Sequence, residues 1–234
     1  MEMITELLTT IHWGAVAQII MIDILLGGDN AVVIALACRN LPPQQRKQGI
    51  FWGVFGAIAL RVVLITCAVY LLKLPLLKVV AGALLIWIGV KLLVPHEEED
   101  ANVEASTKLL GAIKTIIVAD LVMSIDNVIG IAGAAQQAAE GHQTLLIIFG
   151  LLVSVPFIIF GSQVILKLFD RFPIIVTFGG ALLGWIGGGL IVGDVLLADH
   201  LPASDMVHHV AAAIGAILVI GLAEVVKRRR VTNA

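Results

Sequence analysis

Asp23-Ile24-Leu25-Leu26-Gly27-Gly28-Asp29-Asn30 lies inside one long apolar run, and Asp120-Leu121-Val122-Met123-Ser124-Ile125-Asp126-Asn127 lies inside another. Each holds two aspartates six apart, followed at once by an asparagine. Apolar runs of about 20 residues are what a bilayer-crossing helix requires. A carboxylate near the bilayer centre costs about 2.5–3.5 kcal/mol on insertion scales. Four of them, in two matching places, need a compensating positive charge. A bound cation is the simplest compensation, so these stretches imply an all-α membrane fold and an ion-transport role.

The composition around them agrees. The chain has 234 residues, 59% hydrophobic and 14% charged, with a mean hydropathy of +1.04. A soluble domain of this size carries about 25% charged residues. Seven candidate spans cover residues 13–38, 49–72, 76–94, 109–135, 145–166, 173–195 and 207–226. The N-terminal segment has Glu2 and Glu6 and no basic stretch, so the first run is expected to be a retained span rather than a signal peptide. The net charge of −2 hides a segregation of sign. Alternating spans place Arg39, Arg46, Lys47, Lys91, Lys108, Lys114, Lys167, Arg171 and the tail Lys227-Arg228-Arg229-Arg230 on one side, against Lys73 and Lys78 on the other. By the positive-inside rule the N-terminus is outside and the C-terminus inside. Cys38 and Cys67 fall in or beside apolar segments and are expected as small buried apolar side chains rather than a disulfide.

The two motifs belong to a longer repeat. Residues 19–37 and 116–134 align without gaps at an offset of 97, with eight identities in nineteen positions. An offset of 98 then pairs Gly82-Ala83-Leu84-Leu85-Ile86-Trp87-Ile88-Gly89 with Gly180-Ala181-Leu182-Leu183-Gly184-Trp185-Ile186-Gly187. Three spans per unit is an odd number, so the second unit enters the membrane inverted, an arrangement that puts transporter sites near the midplane. The expected organisation is a single transmembrane domain: a first repeat over about 13–94, an acidic cytoplasmic linker over 95–108, a second repeat over about 109–195, a seventh helix over 207–226, and a basic tail over 227–234. Glu97-Glu98-Glu99-Asp100 in the linker reads as a solvated stretch.

The site is expected at Asp23, Asp29, Asn30, Asp120, Asp126 and Asn127. On a regular helix Asp29 points about 120° away from Asp23, so one unbroken helix cannot aim both at one ion. Gly27-Gly28 offers a place to unwind; Ser124 and Ile125 stand there in the second copy, which makes unwinding better supported in the first. Carboxylates, amide oxygens and carbonyls are hard ligands that suit Mg²⁺, Ca²⁺ or Mn²⁺. Four aspartates against Arg61 leave a nominal −3 if all are ionised, which a divalent ion reduces to −1 and one protonated aspartate to zero. Arg61 has Ile158 at its repeat position and is expected to neutralise an aspartate when the site is empty. Met21 and Met123 near the site read as core packing, and Pro156 as a kink. Glu224 reads as a partner of Lys227 or Arg228. Asp194, Asp199, His200, Asp205, His208 and His209 read mainly as solvated polar residues, with weak metal capture as the alternative.

Gly27-Gly28-Asp29-Asn30-Ala31 and Ser124-Ile125-Asp126-Asn127 closely resemble the TerC family of integral membrane proteins, over roughly residues 12–226. The resemblance implies a manganese exporter of the bacterial inner membrane, related to the lysine-exporter superfamily, with the six Asp and Asn positions named above as its metal site and Gly27, Gly28, Ser124 and Arg61 in support. The first expectation is therefore Mn²⁺ efflux by alternating access, open to proton coupling. A membrane-protein assembly or metal-loading scaffold is the alternative, and an amino-acid exporter is weaker, because it would need a site for both ammonium and carboxylate and only Arg61 is cationic at the expected site. No nucleophile–base pair or cofactor loop points to an enzyme. The expected partners are the lipid bilayer and a divalent ion as substrate, with no prosthetic group and no nucleic acid. A homo-oligomer is left open.

Overall fold

A computed structural model describes residues 13–71, 74–94, 105–135, 143–198 and 204–233. Among these every regular element is helical: α1 (Trp13–Leu26), α2 (Gly28–Cys38), α3 (Pro43–Leu71), α4 (Leu77–Leu93), α5 (Ala105–Ala135), α6 (Gln143–Arg171), α7 (Ile174–Val192), the single turn α8 (Val195–Ala198) and α9 (Asp205–Asn233). Four stretches among the described residues are long and apolar enough to cross a membrane: Pro43–Ile65, Ile147–Arg171, Ile174–Val192 and Asp205–Arg229. The first apolar run falls short because it is split into 14 and 11 residues, and α4 because it has 17 residues. The side chains of α5 beyond Ile125 lie outside the described residues. The acidic linker over 95–104 lies outside the described residues.

The split falls at Gly27, which forms a turn with φ −90° and ψ −4°. A Cβ at Gly27 would overlap the carbonyl oxygen of Asp23. α2 then starts afresh with the Ala31 N–H donating to the Gly27 carbonyl at 3.0 Å. In the second copy α5 runs unbroken through Ser124 and Ile125.

Two groups of helices share one apolar core. In the first, α3 packs along α5, and α1 and α2 pack on α6. In the second, α4 and α9 flank α7. Small residues set these approaches, as in other membrane helices. A Cβ at Gly187 would come within 2.7 Å of the Gly82 carbonyl, and one at Gly89 within 3.2 Å of the Gly180 carbonyl. Numbers rise along α4 as they fall along α7, so the two helices are antiparallel. Gly184 and Gly188 abut Gly215 and Ala211 of α9 just as closely. The outer faces carry large apolar side chains such as Phe51, Phe55, Phe160, Phe178 and Ile217. An apolar surface of that extent suits lipid rather than water.

Three expectations are corrected here. Asp194 is buried, not solvated. It lies at the start of α4, where it accepts N–H bonds from Leu76 at 3.1 Å, Lys78 at 3.0 Å and Val79 at 3.4 Å, besides Leu196 at 3.0 Å. Free donors at a helix N-terminus favour a carboxylate, and Leu76 itself takes the left-handed conformation with φ 66°. Cys67 is exposed while Cys38 is buried, because Cys67 lies on an outward side of α3. Met21 likewise faces outward, whereas Met123 is in the core. Asp205, His208 and His209 are exposed, and Asp199 and His200 lie outside the described residues. Pro156 lies inside α6, and Glu224 pairs with Arg228 at 3.0 Å.

Candidate functional site

Four helices bring a polar cluster into the apolar interior. Asp23 sits in the last turn of α1, Arg61 well inside α3, Asp120 and Ser124 four residues apart on one face of α5, and Ser154 on α6. All five are buried, Asp23 to 1% exposure and Arg61 to 2%. Arg61 is the hub. Its Nη1 donates to Asp23 Oδ1 and its Nη2 to Asp120 Oδ1. Its Nε donates to Ser124 Oγ at 2.9 Å, and Ser124 Oγ in turn donates to Asp120 Oδ2 at 3.1 Å. Ser154 Oγ donates to Asp23 Oδ2, and also lies 2.8 Å from the Leu151 carbonyl. Every carboxylate oxygen of the two aspartates is thereby engaged.

The planar fork of an arginine, with five donors, matches two carboxylates and a hydroxyl at once. Burying any of these charges alone would cost several kcal/mol. Together they still carry one more negative charge than positive when both aspartates are ionised. Such a cluster is expensive to keep inside a hydrophobic bundle, and ionisable groups there mark function by default.

Asn30 stands apart from the network. Its side chain is 4% exposed, and among the described residues neither Oδ1 nor Nδ2 has a hydrogen-bond partner. Buried polar groups are partnered in the great majority of cases, so this one calls for a ligand. It lines a small cavity with Arg61 and Asp120, walled by Val33, Ile34, Val54, Ile116 and Ile158. The space admits about one water or a bare ion.

The structure thus joins Asp23, Arg61, Asp120 and Ser124, with Asn30 at the adjoining cavity. It does not join Asp29 to them. The turn at Gly27 leaves Asp29 half-buried at the start of α2, where its Oδ1 accepts from the Asn30 N–H at 3.0 Å. Asp126 and Asn127 continue along α5, and their side chains lie outside the described residues. Among the described residues, no three of His, Cys, Asp and Glu come together as a metal cluster. Ser154 was missed from the sequence. Its one signal is a hydroxyl within an otherwise apolar span, which is too common to stand out.

The chain matches the model of the integral membrane protein TerC family over residues 8–231. It is 45% identical over 186 residues to the uncharacterized membrane protein YjbE of Bacillus subtilis, covering 78% of this chain and 83% of that one. It is 27% identical over 225 residues to YceF of the same organism, 92% of this chain and 84% of the relative. The UPF0053 inner membrane protein YgdQ of Escherichia coli is 24% identical over 208 residues, 81% of this chain and 84% of the relative. No solved structure matches the chain. With nearly its whole length inside the family match, this chain belongs to the TerC family of integral membrane proteins.

Proposed function

We propose that this protein carries a divalent cation, with Mn²⁺ as its substrate, out of the cytoplasm by alternating access around Asp23 and Asp120. One observation carries the reading: the first aspartates of the two motifs converge from different helices on a single buried positive charge. Hard oxygen donors surround that point, from two carboxylates, two hydroxyls and the unpartnered amide of Asn30, and such a set suits Mn²⁺, Mg²⁺ or Ca²⁺. Asp29, Asp126 and Asn127 are the further ligands that the family resemblance assigns.

The inverted repeat draws support from pairs of contacts that exchange under it. At the offset of 97, Arg61 against Ser124 becomes Ile158 against Gly27. The first pair is 2.9 Å apart, and a Cβ at Gly27 would lie 3.6 Å from Ile158 Cγ1. At the offset of 98, Gly82 against Gly187 becomes Gly180 against Gly89, and both pairs touch. Antiparallel α4 and α7 are what inversion requires; a parallel repeat would make them parallel. In this reading the chain has seven spans, counting α1 and α2 as one broken span, in the bacterial cytoplasmic membrane, N-terminus outside and C-terminus inside.

The test is metal flux in proteoliposomes, with Mn²⁺, Ca²⁺ and Mg²⁺ compared and internal pH recorded. Wild type is expected to move Mn²⁺, with an opposing pH change if protons are exchanged. Asp23→Asn and Asp120→Asn, which keep the shape and remove the charge, are expected to lower that flux at least tenfold. Wild-type flux in both variants would sink the site. No flux from folded wild type would favour a scaffold that transports nothing itself.

A further inference from the structure

We propose that Arg61 is a tethered substitute for the transported cation: it holds Asp23 and Asp120 while the carrier is empty, and swings to the Asn30 side of the same cavity when an ion binds. This rests on the cation-transport reading above and adds a step to it.

The first ground is exclusion. Nη1 and Nη2 of Arg61 occupy one oxygen of each aspartate, and Ser154 and Ser124 occupy the other two. An ion cannot coordinate both carboxylates while the guanidinium lies between them, because the same oxygens would have to serve both and the two positive charges would repel. The second ground is a destination. Asn30 Oδ1 is a buried acceptor with no donor among the described residues, and it shares a cavity with Arg61 and Asp120. An arginine side chain is long and carries donors on every nitrogen. The third ground is charge balance. With Arg61 in place, the empty carrier does not have to bury two bare carboxylates. With a divalent ion in place, the ion neutralises the two carboxylates and the arginine moves towards Asn30. Both the loaded and the empty carrier can then change conformation, which net transport requires. The matching position in the second repeat holds Ile158, so there is one such arginine for one ion.

The experiment compares net flux, exchange and binding. In Arg61→Gln the competitor is gone, so Mn²⁺ is expected to bind at least tenfold more tightly to the purified protein. Net flux of Mn²⁺ into metal-free liposomes is expected to fall tenfold or more, because the empty carrier no longer reorients. Exchange of radioactive for unlabelled Mn²⁺ across the membrane should persist. Asn30→Ala should weaken Mn²⁺ binding when Arg61 is present and have little effect in the Arg61→Gln background. Unchanged binding and net flux in Arg61→Gln, or loss of exchange together with net flux, would overturn the proposal. So would an Asn30→Ala defect that is undiminished in the Gln background, since Asn30 would then be a direct ligand only. If Arg61→Gln does not fold, Arg61→Lys serves, because an ammonium keeps the charge but cannot span both carboxylates. Tighter Mn²⁺ binding with net flux retained is then expected, and unchanged affinity overturns the idea. A wild type that moves no Mn²⁺ defeats the transport reading itself; a transporting wild type with either overturning result defeats only the role of Arg61.

Discussion

Gly27 and Gly28 read alike in sequence, yet they do different work. A Cβ at Gly27 meets the Asp23 carbonyl, whereas one at Gly28 meets nothing within 4 Å. Gly27→Ala is therefore expected to cost about 1–3 kcal/mol through forced displacement of backbone, and to lower Mn²⁺ flux by moving Asp23 off Arg61. Gly28→Ala should be neutral to within about 0.5 kcal/mol. Thermal melting of both variants in detergent checks this; equal destabilisation would mean that the pair acts as a flexible unit. The same contrast applies to the aspartates. Asp23 became part of the network because it lies before the turn, and Asp29, after it, accepts from the adjacent Asn30 N–H in the first turn of α2.

Among the elements, α4 depends on a residue far away in the chain. Burial alone would push the Asp194 carboxyl up, but N–H bonds from Leu196, Leu76, Val79 and Lys78 together hold it below the usual carboxylate range. A carboxyl lowered in the folded state stabilises above its unfolded value, near 3.9, and that contribution is lost as pH falls through the folded value. Asp194→Ala should thus destabilise by about 1 kcal/mol or more at neutral pH, as for loss of a helix cap. Its melting difference from wild type should shrink below about pH 4. A difference that stays constant down to pH 2.5 would mean that Asp194 acts by shape rather than charge.

At the scale of the whole molecule, both ends of the bundle are tied. At one end Arg46 pairs with Asp170 at 2.9 Å, linking the start of α3 to the end of α6. At the other, Asp194 links the end of α7 to the start of α4. These ties join segments that the basic residues assign to the same side of the membrane. A reporter fused after Ala234 that functions only in the cytoplasm is expected to be active, and one inserted within residues 199–203 silent. The opposite pattern would reverse the orientation and with it the direction of transport.

The helical membrane class, the repeated motif and the weak point at the glycine pair were legible in the sequence, because each depends on local properties: the hydrophobicity of a run, the side-chain spacing on a helix, the missing Cβ of glycine. Helix arithmetic gives an angle about a helix's own axis and says nothing of which neighbour that angle faces. Only the tertiary structure decided that Asp23 and Asp120 meet at Arg61, that Ser154 on α6 joins them, that Asp29 stays apart, and that Asp194 leaves water to cap α4. Those outcomes depend on contacts between residues that are from 38 to 131 positions apart in the chain, as for Asp23 with Arg61 and Asp23 with Ser154. Packing of whole helices sets such contacts, and no single span encodes them.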